Sequence, residues 1–168
     1  MAMIITDKIP NNRRQEIAHF IYGIVANEPA LTSRSISTLL NLFETNGLII
    51  AFNDDKVIGW LASELLTRDT RELGMAYIKP KFREQGIFEK MIEFSIRDGK
   101  LTYIAATYSE KILKQLLKYG FVKTTTSELC RRSRYKFLLK RLRFKLIKKI
   151  AKRLSEKKVF CALREPIE

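Results

Sequence analysis

The chain has 168 residues, 46% of them hydrophobic, and a formal net charge of +14. That length suits one domain that buries roughly 70% of its unfolded surface, and no apolar run approaches the ~20 residues needed to span a bilayer. The start of the chain lacks the charged-then-apolar pattern of a secretory leader, and two cysteines, Cys130 and Cys161, are too few for a disulfide framework and lack metal-ligand spacing. These exclusions lead us to expect a cytoplasmic protein, with both cysteines in packing roles.

Taken in chain order, Met3 to Thr6 reads as a short first strand. Asn11 or Asn12 can cap a helix whose apolar stripe is Ile17, Phe20, Ile21, Ile24 and Val25. His19 lies in that helix and is expected to be structural. Asn27-Glu28-Pro29 ends it, and a second helix, capped at Thr32 or Ser33, runs through Ile36, Leu39, Leu40 and Phe43. Leu48 to Phe52 is a buried strand, Asn53-Asp54-Asp55-Lys56 a hairpin turn, and Val57 to Leu66 the next strand, with Trp60 in the core or on a substrate floor. A polar turn leads into a strand from Glu72 to Ile78. Pro80 ends that strand, because it has no N–H for a ladder and holds Lys79 extended. Beyond Gly86, apolar Ile87, Met91, Ile92, Phe94 and Ile96 mark a helix. Asp98-Gly99-Lys100 breaks the pattern, Thr102 to Thr107 is a strand, and Ser109 can cap a helix with Ile112, Leu113, Leu116 and Leu117 inward. Phe121 to Glu128 and Val159 to Leu163 read as the last two strands.

The stretch Ile78-Lys79-Pro80-Lys81-Phe82-Arg83-Glu84-Gln85-Gly86-Ile87-Phe88 is a strand end, a turn and a helix start. Backbone N–H groups at such a helix N-terminus suit a phosphate, and Arg83 adds a charged donor. Together these residues resemble the acyl-CoA signature of the GNAT N-acetyltransferase superfamily, hydrophobic-x-Pro-x-aromatic-Arg/Gln-x-x-Gly-x-Gly/Ala. Phe88 departs from it, standing where a small residue is usual. The element order matches that family's fold across nearly the whole chain. The fold expected is α/β, a mixed central sheet flanked by helices, with 1–168 as a single domain. A long basic helix inserted between the last two strands is the departure, since the family joins them by a plain hairpin.

The resemblance implies acetyl-CoA as cosubstrate, its pyrophosphate on the amides of Arg83, Glu84, Gln85, Gly86, Ile87 and Phe88. Its pantetheine would run beside the backbone of Ala76, Tyr77 and Ile78. Ser109 stands where the family often has an asparagine that contacts the cofactor. An amine acceptor with a pKa of ~10.4 costs about 4.6 kcal/mol to deprotonate at pH 7, which a general base can offset in part. Glu72 stands where some members carry a glutamate base, and period-two alternation puts it on one face with Gly74, Ala76 and Ile78. A solvent-facing carboxylate at a strand end is the other reading. The tyrosine that usually protonates the leaving thiolate is replaced by Leu116. Tyr119 is the substitute considered, as an acid or as a packing residue at a helix end; Tyr108 is also nearby.

Charge is concentrated in 131–158, where 14 Lys or Arg residues face one acid, Glu156, for a net of +13. Ser133 to Leu154 reads as one long amphipathic helix. Tyr135, Leu138, Leu139, Leu142, Leu146, Ile150 and Leu154 form the apolar face, while Phe137 and Phe144 stand exposed among the bases. Aromatics in a basic surface suit nucleic acid, and the same pattern suits an anionic membrane surface, an acidic partner or a homodimer interface. The function expected is an N-acetyltransferase whose acceptor is a protein or a nucleic-acid-associated molecule such as ribosome or tRNA. The alternative is a non-catalytic nucleic-acid- or partner-binding protein on a GNAT scaffold.

Overall fold

The structure, a computed structural model, describes residues 3–28, 34–141 and 159–167. The chain divides into two compact units, Met1–Glu64 with Gly74–Arg97, and Leu65–Leu73 with Asp98–Glu168. Seven strands have the hydrogen-bonded order β1-β2-β3-β4-β5-β7-β6, and helices accompany them in both units. Among the described residues no helix is long and apolar enough to cross a membrane.

The first unit holds β1 (Met3–Thr6), α1 (Asn11–Asn27), α2 (Ile36–Glu44) and β2 (Leu48–Asn53), then most of β3 (Lys56–Thr67). It also holds the second half of β4 (Thr70–Ile78) and α3 (Ile87–Ile96). β1 pairs antiparallel with β2 from Met3↔Asn53, and β2 with β3 from Leu48↔Ala62. Asp54 and Asp55, both at positive φ, make the tight turn between β2 and β3. All of β2 except Asn53 is buried, as a strand covered on both faces should be. Ile17, Ala18, Ile21 and Val25 of α1 meet Leu39, Leu42 and Phe43 of α2 in one core with Leu48, Ile50 and Trp60. Two caps differ from expectation. Asn11 already lies inside α1, which starts behind Pro10 without a side-chain cap. Thr32 and Ser33 lie outside the described residues; α2 is capped by Ser35, whose Oγ accepts from the Thr38 amide at 3.2 Å.

The second unit contains the first half of β4, β5 (Thr102–Thr107), α4 (Glu110–Lys118), β6 (Val122–Thr124), α5 (Thr126–Arg132), α6 (Lys136–Arg141) and β7 (Phe160–Arg164). β4 runs parallel to β5 from Thr70↔Thr102 to Leu73↔Ala105, while β7 pairs antiparallel with both β5 and β6. Ile104, Leu129, Cys130, Phe137, Cys161 and Leu163 form its core.

The segment between β6 and β7 departs from the sequence reading in three respects. The strand expected over Phe121 to Glu128 stops at Thr124, and α5 follows it. Thr125 accepts from the Glu128 amide, and Glu128 in turn pairs with Arg131 and Arg132 one turn on, so local polar bonds favour helix there. The helix expected to run unbroken from Ser133 is interrupted: Arg134 and Tyr135 adopt φ of 49° and 62°, and α6 begins at Lys136. Its burial is also the reverse of that expected. Phe137 is 3% exposed, whereas Tyr135 and Leu139 are each 62% exposed, and Leu138 is exposed too. The turn at Arg134 and Tyr135 resets the helical phase, so Tyr135 is not on one helical face with Leu138 and Leu139. Residues 142–158, with the rest of the expected helix and Phe144, lie outside the described residues.

Candidate functional site

In the first unit, the end of β4 is pinned to β3 at close range. The Lys79 amide donates to the Ile58 carbonyl at 2.8 Å. A Cβ on Gly59 would stand 2.7 Å from the Tyr77 carbonyl oxygen, so only glycine permits this approach. The Tyr77 ring stacks on buried Trp60 at 4.7 Å between centroids, and Phe20 meets Trp60 edge-on. Lys79 places its ammonium 4.7 Å from the Phe20 ring centroid. Burial pushes the Lys79 pKa below the usual lysine value, and the charges of Lys81 and Lys56 push it the same way.

The turn then forms as the proline implies, with a short 3-10 segment over Pro80–Phe82. Arg83 folds back, its Nε donating to the Ile78 carbonyl at 3.1 Å, and Gln85 Nε2 reaches the Lys81 carbonyl. Glu84 and Gly86 both adopt left-handed φ, 64° and 72°. Such an alternation of backbone conformations turns successive amides toward one side. Gly86 is the N-cap of α3 and supplies no side-chain cap, leaving the first-turn amides to find partners elsewhere. Ile87 is buried and fixes the helix start, while Phe88 is half-buried.

In the second unit, Glu72 lies opposite Ile104 in the ladder, one residue before that ladder ends. The solvent-facing reading of Glu72 is wrong. Its side chain is 7% exposed and accepts a hydrogen bond from Lys140 Nζ of α6 at 2.9 Å, the lysine being 18% exposed. The alternation expected from Glu72 to Ile78 also fails, because Met75 has a φ of 47°. A residue in that conformation leaves the extended region on which two-residue alternation depends.

Ser109 caps α4, its Oγ accepting from the Ile112 amide, and its own amide donates to Thr107 Oγ1. Tyr119 closes the same helix, and its carbonyl accepts from Arg164 Nε at 3.0 Å. The two candidates therefore stand at opposite ends of α4, about 15 Å apart along its axis. Leu116, at the family's tyrosine position, is buried.

No family model matches the sequence, and no curated protein matches it significantly. Solved structures do match. Rv2747 from Mycobacterium tuberculosis, crystallised with CoA, is 16% identical with a TM-score of 0.66, covering 98% of this chain and 99% of that one. A GNAT-family acetyltransferase from Staphylococcus aureus is 16% identical with a TM-score of 0.62, covering 97% and 98%. The yncA protein from Salmonella typhimurium, solved with its cofactor acetyl-CoA, is 16% identical with a TM-score of 0.58, covering 74% and 82%. The fold is the GNAT fold. Within it, the structure joins Arg83 to Ile78 in one unit and Glu72 to Lys140 in the other. Lys140 had no local signal: it is one base among 14 in its segment, and its partner is 68 residues away.

Proposed function

We propose that the protein is an acetyl-CoA-dependent N-acetyltransferase that moves an acetyl group to a primary amine. The observation that carries this reading is the glycine-initiated, side-chain-uncapped start of α3 behind the turn from Ile78, on a GNAT fold. The amides of Arg83 to Phe88 offer donors for a pyrophosphate, and the exposed Arg83 side chain adds charge. The backbone of Ala76, Tyr77 and Ile78 offers an edge for the pantetheine amides. Ser109, already bonded to its own helix, is a further contact for the cofactor. Half-burial of Phe88 reconciles its size with this role, since amide donation requires nothing of the side chain.

Glu72 is our choice for the base that takes the proton from the amine. Tyr119 is our choice for the acid that protonates the thiolate. The acceptor is read as a protein or a nucleic-acid-associated molecule, ribosome or tRNA, on the strength of the +13 segment. The rival reading, a non-catalytic binding protein on this scaffold, draws support from the buried Leu116 where a tyrosine acid is usual. Calorimetry separates the two. We expect saturable acetyl-CoA binding, and no heat at millimolar cofactor would overturn the transferase reading. Mass spectrometry of cells expressing the protein against cells expressing Glu72→Gln would then identify acetylated acceptors.

A further inference from the structure

A tyrosine and two leucines stand in water on the turn into α6, beside two exposed bases. Tyr135 and Leu139 are each 62% exposed and Leu138 39%, and Arg134 and Lys136 lie between and before them. From this patch we infer that the start of α6 attaches the protein to an anionic lipid surface. Every residue concerned belongs to the second unit. Attachment concerns where the protein is held, not what it acetylates, and so is independent of the transferase reading.

The local geometry fixes these side chains outward. Phe137 is buried in the core of the unit, its amide donating to the buried Ser133 Oγ at 3.1 Å. Lys140, three residues on, turns to Glu72. With Phe137 and Lys140 inward, Leu138 and Leu139 are left on the outer side. The Tyr135 amide donates to the Cys130 carbonyl at 2.7 Å, and the Tyr135 carbonyl accepts from the Leu138 and Leu139 amides at 3.0 and 2.9 Å. Tyr135 has a φ of 62°, a conformation that glycine adopts without steric cost and tyrosine does not. Among the described residues its ring makes no aromatic or cation contact that would offset this strain. A strained residue whose side chain faces water points to a use outside the fold. Phosphates offer a leucine no apolar surface, whereas a bilayer interface suits all the side chains present. Leu138 and Leu139 enter the acyl boundary, the tyrosine ring sits at headgroup level, and Arg134 and Lys136 meet anionic headgroups. The +13 of 131–158 attracts such a surface from a distance.

The test is co-sedimentation of the full chain with vesicles of phosphatidylcholine alone, or of phosphatidylcholine with about a quarter phosphatidylserine. We expect binding to the anionic vesicles that weakens with salt, and little to the neutral ones. Leu139→Ser should lower the partition coefficient by about tenfold, the scale of one leucine side chain returned to water. Tyr135→Gly should also weaken binding while raising the thermal midpoint by about 2–4 °C, since it relieves the left-handed backbone. That opposite pair of changes guards against a variant that merely unfolds. Equal binding to both vesicles, or binding to neither, would overturn the attachment. So would anionic binding that Leu139→Ser leaves unchanged, which is attraction by charge alone and the behaviour of an RNA-binding surface. Self-association that Leu139→Ser abolishes, without vesicle binding, would give the patch to a second copy of the chain instead.

Discussion

A carboxylate withdrawn from water at the end of a strand ladder needs either a proton or a counter-charge, and Glu72 has Lys140. Replacing Glu72 with glutamine keeps the shape and removes the proton acceptor. We expect transfer to fall by about 10²-fold or more with acetyl-CoA affinity nearly unchanged. Equal turnover in both proteins would show that the base lies elsewhere. Tyr103 gives a separate prediction. Burial, and behind it the charge of Asp98 and the hydrogen bond to it, pushes its hydroxyl up to about 12. The unfolded chain loses this proton near pH 10 and the folded one near 12, so stability is fully present below pH 10 and falls as pH rises between the two values. Urea midpoints should decline across that window in wild type and decline less in Tyr103→Phe. Residues are where the sequence reading was least complete. Ser109 as a helix cap was visible because its partner is three residues away, whereas the Glu72–Lys140 pair spans the chain and leaves no local trace.

Strand, proline, turn and helix between Glu72 and Ile96 were legible because each boundary is set by a residue with a fixed backbone constraint. Gly86 shows this directly. A Cβ there would meet nothing within 4 Å, so its φ of 72°, not space, requires glycine. Gly86→Ala should cost roughly 1–2 kcal/mol, the penalty of left-handed backbone for an L-residue. Relief of that strain would reorient the first amides of α3, so acetyl-CoA affinity should drop as well. Unchanged affinity would argue against phosphate binding at this turn. The alternation along β4 was not legible past Met75, since nothing in that side chain announces a positive φ. The error at α5 was avoidable. Thr125-Thr126-Ser127-Glu128 has the spacing of a capping box, and Thr125 does receive the Glu128 amide. Thr125→Ala should destabilise the protein by ~1 kcal/mol in thermal unfolding. Phe137→Ala should cost about 3–5 kcal/mol, because Phe137 fills the core that an unbroken helix would have left to Leu138 and Leu139. Near-neutral behaviour of Phe137→Ala would restore the original reading of that face.

On the scale of the molecule, the order of elements along the chain followed from its strand and helix signals as far as β6, but the charge distribution carries information that the fold does not. Outside 131–158 the chain is nearly neutral, so any long-range attraction of polyanions originates in that segment. Arg131 and Arg132 are already paired with Glu128, whereas Arg134 and Lys136 stand exposed on the turn and first residue of α6. A nucleic-acid acceptor contacted by four to six of these bases should bind single-stranded RNA with a log–log salt slope of about −3 to −4, since each neutralised phosphate contributes about −0.7. Arg134→Glu and Lys136→Glu should each make that slope shallower by about 0.7–1 and weaken binding regardless of RNA sequence. Filter binding of a single-stranded RNA oligomer from 50 to 300 mM salt measures both effects. A flat slope in wild type would move the acceptor from nucleic acid to a protein surface. A steep slope that neither substitution alters would instead place the polyanion contact outside the root of α6, leaving Tyr135 and Leu139 exposed for a different partner.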